Sequence, residues 1–154
     1  MSLQAQFVRS KGQPLFIEGE RVVQMDRISL RRGVVAVHFI SSPQSILQGV
    51  AFQSDKGAIK LSDGSGVKRV YIWHEMDLSP IIRHEVECPN RELKLWNVYK
   101  ATTNPDRTIA DAWTNNAGMI VQEISKERRR YYCSDGVGDF SKQDLVFEIE
   151  IELE

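Results

Sequence analysis

Aspartates and glycines are concentrated near the end of the 154-residue chain, in Ser134-Asp135-Gly136-Val137-Gly138-Asp139-Phe140, and Asp144 follows closely. Carboxylate oxygens are ligands that calcium prefers, and glycines permit the tight turns that bring about six to eight ligands together. Asp135, Asp139 and Asp144 are therefore candidate calcium ligands. The alternative is a glycine-containing turn whose aspartates hydrogen-bond to the backbone.

A second candidate site precedes that segment and contains Trp113, Asn115 and Asn116. A tryptophan among polar side chains can stack on a sugar ring while amide groups bond to its hydroxyls. The alternative is ordinary loop packing. Together, the loops 102–117 and 134–144 form the predicted binding surface for a carbohydrate or another polar ligand.

His74 and His84 form a third candidate site. A hairpin turning near Ser79 would place the two imidazoles opposite each other on one face, where they would suit zinc or another transition metal. A shift of one residue in the register would separate them. The alternative is two polar residues at strand ends.

Nucleic acid is not an expected partner. The chain carries 20 Lys and Arg against 21 Asp and Glu, whereas nucleic-acid binders are usually basic. The basic and aromatic run Arg128-Arg129-Arg130-Tyr131-Tyr132 offers cations and stacking rings, but strand alternation would send Arg129 to the face opposite its two neighbours. The run is therefore divided between two faces.

Catalysis has little support in the sequence. The chain contains no Gly-x-Ser-x-Gly elbow, no His-Glu-x-x-His motif and no phosphate-binding glycine loop. Arg130 stands near Cys133 and would lower the pKa of a thiol beside it, but no histidine can be assigned to that cysteine. We expect a non-catalytic domain with no cofactor other than calcium.

The strongest structural pattern is the ending Phe147–Glu154, in which apolar residues and glutamates alternate without a break. This period of two predicts a strand with one buried and one solvated face. Similar short strands are predicted along the chain, at 22–28, 34–40, 48–53, 58–61, 67–73, 81–88, 93–99, 118–124 and 129–133. Trp73 and Trp96 lie within such strands and are expected in the core or between sheets.

These strands predict an all-β fold with little or no helix. Nine or ten short strands at regular spacing are typical of a sandwich or barrel, and we expect one antiparallel, jelly-roll-like β-sandwich over residues 1–154. Residues 1–12 are expected to form a loose N-terminal arm. A hairpin at 31–33 is expected to join the strands 22–28 and 34–40.

The last third of the chain contains a series of short motifs: Leu93, Trp96-Asn97-Val98, Asn116-Ala117-Gly118-Met119-Ile120-Val121, Asp135-Gly136-Val137-Gly138-Asp139 and Asp144-Leu145-Val146-Phe147. With these motifs, residues 93–149 resemble a group of bacterial β-sandwich domains without an assigned activity. The resemblance implies a β-sandwich and names no substrate.

The end of this region is similar to the signature Asp-x-Asp-Phe-(Asn/Asp)-Asp-(Leu/Val)-Val-Phe of some calcium-binding, lectin-like β-sandwiches. The resemblance implies that Asp139, Phe140 and Asp144 take the signature's Asp, Phe and final Asp. Ser141-Lys142-Gln143 stands where the signature has one residue, and a lysine opposes a dication. The resemblance therefore implies either a calcium site or a degenerate, metal-free version of it.

Location and partners follow only broadly from the sequence. The N-terminus lacks the apolar core of a signal peptide, and no segment is apolar over the length of a membrane span, so the cytoplasm is the default expectation and export stays open. The expected partner is a polar small molecule or glycan, not a membrane. The alternative function is structural, a metal-free assembly protein that self-associates through a sheet face.

Overall fold

Strands make up nearly all regular structure in the computed structural model, which describes residues 1–42, 46–74, 81–100 and 110–153. One short helix precedes thirteen strands within these ranges. The elements are α1 (Leu3–Arg9), β1 (Leu15–Ile17), β2 (Glu20–Val23), β3 (Asp26–Ile28), β4 (Arg32–Ser41), β5 (Leu47–Gln53), β6 (Ala58–Lys60), β7 (Gly66–Val67), β8 (Arg69–Trp73), β9 (Ile81–Glu87), β10 (Leu93–Lys100), β11 (Gly118–Glu123), β12 (Arg128–Ser134) and β13 (Leu145–Leu153).

The strands form two antiparallel sheets whose inner faces enclose the core. The larger sheet has nine strands in the order β1-β2-β11-β12-β13-β4-β9-β6-β7, and the smaller has four in the order β3-β10-β5-β8. Phe147 and Ile149 from the larger sheet and Val50 and Phe52 from the smaller are all buried in one cluster. The predicted antiparallel all-β sandwich is confirmed.

The strand predicted over 22–28 is divided between the two sheets. Its first part is β2 in the larger sheet, and its second part is β3 in the smaller sheet. The predicted hairpin at 31–33 is therefore wrong, because β3 and β4 lie in different sheets. The segment predicted over 67–73 is likewise divided, into β7 and β8, and β1 was not predicted, so the described residues contain thirteen strands where nine or ten were expected.

The first residues form a docked helix and not the expected loose arm. Ser2 caps α1 by accepting a hydrogen bond from the Ala5 amide. Leu3 and Phe7 are 4% and 1% exposed and pack against Val22 of β2.

Within the described ranges, no helix combines the length and the apolar character that crossing a membrane requires.

One polar cluster connects the two sheets. Asp26 of β3 accepts hydrogen bonds at its Oδ2 from Arg129 Nη1 at 2.8 Å and from the Tyr131 hydroxyl at 2.6 Å, both on β12. Tyr131 is fully buried and stacks on Phe147, with ring centroids 4.7 Å apart. Arg129 thus faces inward, opposite Arg128 and Arg130, so the predicted division of the arginines between two faces is confirmed.

The outer face of the larger sheet carries the glutamates of β13, but Glu148 is not solvated as predicted. It is 6% exposed, because Arg128 Nη2 and Arg130 Nη2 lie 2.7 and 2.6 Å from its two carboxylate oxygens. Burial alone would raise the pKa of Glu148, but the hydrogen bonds from the two arginines outweigh burial and hold the pKa below its usual value.

We expect Glu148→Gln to lose about 1–2 kcal/mol of the free energy of unfolding at pH 7, since charged hydrogen bonds are lost at a covered site. A carboxylate whose pKa is lower in the folded than in the unfolded state stabilises the fold at pH values above its unfolded pKa. This contribution is lost as the pH falls through the folded pKa. The difference between wild type and variant should therefore shrink below a pH of about 4.5. Urea unfolding of wild type and variant at several pH values measures this difference in the free energy of unfolding.

The control for this experiment is Glu152→Gln on the same strand. Glu152 is exposed and lies 3.7 Å from Arg83, so its removal should change the free energy of unfolding by less than about 0.5 kcal/mol. Equal losses for the two variants, or a Glu148→Gln difference independent of pH, would contradict the assignment.

Candidate functional site

Two of the three predicted calcium ligands are buried and hydrogen-bonded to protein groups. Asp135 is 1% exposed; its Oδ1 accepts from the Val137 amide at 2.9 Å and its Oδ2 from Gln48 Nε2 at 2.8 Å. Asp144 is 3% exposed and accepts from the Asp135 amide at 3.0 Å. These carboxylates hold the loop that leads into β13.

The third predicted ligand, Asp139, is exposed on the same loop. Within the described ranges, no group of three or more His, Cys, Asp or Glu side chains is arranged to hold a metal ion. Calcium binding by Asp135, Asp139 and Asp144 stays a prediction.

The predicted ligand-binding asparagines fasten this loop to its neighbour. Asn115 Nδ2 donates to the Gly136 carbonyl and Asn116 Nδ2 to the Gly138 carbonyl, each at 2.9 Å. A Cβ at Gly136 would collide with the hydroxyls of Tyr99 and Thr114, so the loop packs closely at this glycine. The amide donors expected to meet a ligand are thus used within the protein.

Trp113 lies on the outer face of the smaller sheet. Its indole N–H donates to the Gln24 carbonyl at 3.0 Å, and its ring lies 5.1 Å from the ring of Trp96. Residues 102–109 of the predicted binding loop lie outside the described residues. The structure therefore places Trp113 against another tryptophan and separates it in role from the asparagines.

The hairpin expected to pair His74 with His84 is wrong, although the residues 75–80 lie outside the described ranges. β8, which precedes His74, belongs to the smaller sheet, whereas β9, which contains His84, belongs to the larger. His74 stacks on Phe39 at 5.0 Å, and His84 Nδ1 lies 2.9 Å from the Lys60 carbonyl oxygen. The two imidazoles therefore have separate partners and are not paired across a hairpin.

The cysteines are buried, and neither is activated. Burial raises the pKa of Cys133 well above its usual value, and Asp144 adds to the effect. Burial also raises the pKa of Cys88. Arg130, expected near Cys133, lies on the outer face and pairs with Glu148. Nucleophilic chemistry by a thiolate therefore has no support from these positions.

An outward-facing aromatic pair lies on β8, at the edge of the smaller sheet. Val70 and Ile72 of this strand face the core, so Arg69, Tyr71 and Trp73 face outward. Tyr71 is 43% exposed, Trp73 is half-buried, and their ring centroids are 6.4 Å apart with planes inclined by 22°.

Small residues on the neighbouring strand give these rings a flat support. In the register of β5 with β8, Ala51 lies opposite Tyr71 and Gly49 opposite Trp73. A Cβ at Gly49 would come within 2.8 Å of Trp73 Cε3, so the indole lies directly against the glycine. A larger residue at Gly49 would displace the indole from the sheet.

Two cations flank the aromatic pair. Arg69 donates from Nη1 to the Tyr71 hydroxyl at 3.2 Å, and its guanidinium carbon lies 5.1 Å from the centroid of Trp96. Lys100 Nζ lies 4.8 Å from the centroid of Trp73. Contacts of this length are cation–π interactions. We call Arg69, Tyr71, Trp73 and Lys100 the aromatic patch.

Sequence reasoning missed this patch because it assigned Trp73 to the core or to packing between sheets, whereas Trp73 is half-buried and packs against the core cluster from the outward side of β8. Trp96 is buried as expected, at 3% exposed, but beneath Arg69 and Trp113 on the outer face. The signal for the patch was present in Arg69-Val70-Tyr71-Ile72-Trp73, where the two β-branched residues mark the inward face.

Comparisons of the chain with known protein families, with curated proteins and with solved structures find no match.

Proposed function

We propose that this protein is a non-catalytic binding domain that recognises a carbohydrate through the aromatic patch. The observation that carries the proposal is the pair of the exposed Tyr71 and the half-buried Trp73, which lie at the sheet surface opposite Ala51 and Gly49. Sugar rings present an apolar face of C–H groups, which packs on an aromatic ring, while their hydroxyls bond to polar groups at the rim.

The surrounding contacts fit a rigid platform. Ala51 lies between Trp96 and Tyr71 in the strand register, so Trp96 supports the patch from the side. Arg69 and Trp113 cover Trp96. Aromatic rings lose little conformational entropy when a ligand immobilises them, since they have few rotatable bonds. In this proposal Trp113 contributes to the platform, and Asn115 and Asn116 maintain the neighbouring loop.

Self-association through a sheet face is the alternative function, and the outer face of the larger sheet gives it less support. Charges there are paired within the sheet: Lys60 with Glu85 at 3.3 Å and Arg83 with Glu152 at 3.7 Å. Ion pairs exposed on an open face favour contact with water over burial against another copy. Calcium assistance by the aspartate loop is a separate prediction that the patch does not require.

The proposal is tested by retardation of the protein in native gels containing soluble polysaccharides, both neutral chains such as xylan and galactomannan and acidic chains such as polygalacturonate. We expect wild type to be retarded by at least one of them. Tyr71→Ala and Trp73→Ala should each weaken that binding about tenfold or more, because each removes a stacking surface.

Phe16→Ala is the matched control, because Phe16 is 73% exposed on β1 of the other sheet. It should bind as wild type does. Binding unaffected by the two patch variants, or no retardation by any polysaccharide, would contradict the proposal. A dimer in solution that Tyr71→Ala dissociates would support self-association instead.

A further inference from the structure

We infer that the carbohydrate bound by the aromatic patch is acidic, and that its carboxylate or sulfate groups pair with Arg69 and Lys100. The inference rests on the proposed function and adds the charge of the ligand to it. Its basis is a difference between the cations of the outer face of the smaller sheet.

The cations at one end of that face are already neutralised by carboxylates. Lys94 Nζ lies 2.6 Å from Asp55 and 3.8 Å from Glu92, and Arg27 Nε lies 3.3 Å from Glu92. The hydrogen bond from Lys94 is the main reason that the pKa of Asp55 lies below its usual value. These groups have no net charge to offer a ligand.

Arg69 and Lys100 differ from them. Within the described ranges, neither side chain makes an ion pair with a carboxylate; their partners are the neutral groups Gln53, Tyr71 and the rings of Trp73 and Trp96. The two hydrogen bonds of Arg69 use two of about five N–H donors that a guanidinium carries. The patch therefore has two positive charges and free donors beside its rings.

The order of these groups along the sheet suits an extended chain. Arg69, Tyr71 and Trp73 occupy successive outward positions of β8. Gly49 of β5 faces Trp73, and Leu47, the next outward residue of β5, faces Lys100 of β10. Lys100 therefore lies one two-residue step beyond Trp73 along the strand direction. At about 3.3 Å per residue, roughly 20 Å separate the backbone positions of Arg69 and Lys100 along the strand direction, and both side chains lean towards the rings between them. A chain with sugar rings on the aromatic pair would place acidic groups at both ends.

A single-stranded nucleic acid also combines stacking rings with negative charge. It places a phosphate at every nucleotide, and the proteins that bind it are usually basic overall. This chain has a net charge of −1, and Asp55 and Glu92 lie at one end of the face. Two unneutralised cations fit the lower charge density of an acidic polysaccharide better.

The test measures the affinity of the full chain for four probes: polygalacturonate, its methyl-esterified and therefore nearly neutral form, dextran sulfate, and an oligothymidylate. We expect at least one acidic polysaccharide to bind about tenfold or more tightly than the esterified chain. Raising NaCl from about 0.05 to about 0.5 M should reduce that preference, because salt screens exposed charges. Polygalacturonate and dextran sulfate distinguish a carboxylate from a sulfate.

The variant R69Q/K100Q should lose the preference for acidic chains, so that the ratio of its affinities for the acidic and the esterified chain falls to within about twofold of one. Lys126→Gln, an exposed cation in the turn between β11 and β12, is the matched control and should behave as wild type. Melting temperatures of the variants show whether each is folded.

Each outcome separates the inference from the function on which it rests. Equal binding to the acidic and esterified chains, or a double variant with unchanged preference, would contradict the inference and leave the carbohydrate function supported. Binding to the oligothymidylate more tightly than to any polysaccharide would overturn both. Both would also be overturned if the protein bound none of the four probes and neutral polysaccharides did not retard it.

Discussion

The Asp26→Ala variant is expected to lose about 3 kcal/mol of the free energy of unfolding, because it removes the shared partner of two inward-facing groups. The Tyr131 hydroxyl, on a fully buried side chain, would lose its acceptor. Arg129 would keep the Arg27 carbonyl oxygen, 3.4 Å from its Nη1, and Glu123, whose carboxylate oxygen lies 3.9 Å away on an exposed side chain. An uncompensated charge beside the core is costly.

The protonation of Tyr131 and the hydrogen bonding of Arg129 explain the size of the expected loss in the free energy of unfolding. Burial, followed by the nearby Asp26 carboxylate, raises the pKa of Tyr131, so its hydroxyl is a proton donor at all ordinary pH values. Among the described residues, Arg129 Nε is buried and already lacks a hydrogen-bond partner. Among the described residues, Asp26 is the acceptor of the Tyr131 hydroxyl, and the Arg27 carbonyl is a neutral partner that does not replace the lost charge beside Arg129.

Urea unfolding of three variants tests this prediction. Asp26→Asn keeps an acceptor for Tyr131 but loses the negative charge, so we expect a smaller loss than for alanine. Arg27→Ala is the control, because Arg27 lies on the same strand but is exposed, and its ion pair with Glu92 contributes less than about 1 kcal/mol. Asp26→Ala within about 0.5 kcal/mol of wild type would show that the cluster does not connect the sheets energetically.

Patterns within one strand were predictable from the sequence, whereas the assignment of strands to sheets was not. Alternation alone shows which face of β13 is buried, and it also shows the division of the arginines in β12. The contact of Asp26 with Arg129 joins residues 103 positions apart. No local pattern specifies such a pairing, so the change of sheet between β2 and β3 was missed.

The N-terminal helix shows the same limit at a smaller scale. α1 has seven residues, and a helix of that length is not stable in isolation. It forms because Leu3 and Phe7 are buried against Val22, which is a tertiary contact. Composition and periodicity in the first twelve residues therefore favoured a loose arm.

In the candidate site too, one feature was predictable from the sequence and another was not. The outward position of Trp73 follows from alternation in β8 and was available from the sequence. The roles of Asn115 and Asn116 depend on carbonyl groups of a loop 21 and 22 residues away. Residue types that suit a ligand also suit the fastening of a loop, and only the three-dimensional contacts distinguish the two.

The Asp135→Ala variant is expected to lose about 3 kcal/mol of the free energy of unfolding in the presence of a calcium chelator. Its carboxylate accepts from Gln48 Nε2 and from the Val137 amide, and Gln48 is 1% exposed. Each buried donor left without an acceptor costs about 1–3 kcal/mol. This loss reflects the hydrogen bonds of the loop and needs no metal.

Asp139→Ala is the matched control on the same loop. Asp139 is exposed, so its removal should change the free energy of unfolding by less than about 0.5 kcal/mol in chelator. If Asp135→Ala were as stable as this control, the structural role of the buried carboxylate would be wrong.

The same two variants test the calcium prediction. A ligand that binds only the folded state raises the melting temperature, so calcium held by Asp135, Asp139 and Asp144 would stabilise wild type when millimolar calcium replaces the chelator. Both alanine variants would lose that gain, although only Asp135→Ala is already destabilised without calcium. A wild-type melting temperature that millimolar calcium leaves unchanged would contradict calcium binding and leave the hydrogen-bonded loop as the whole role of these aspartates.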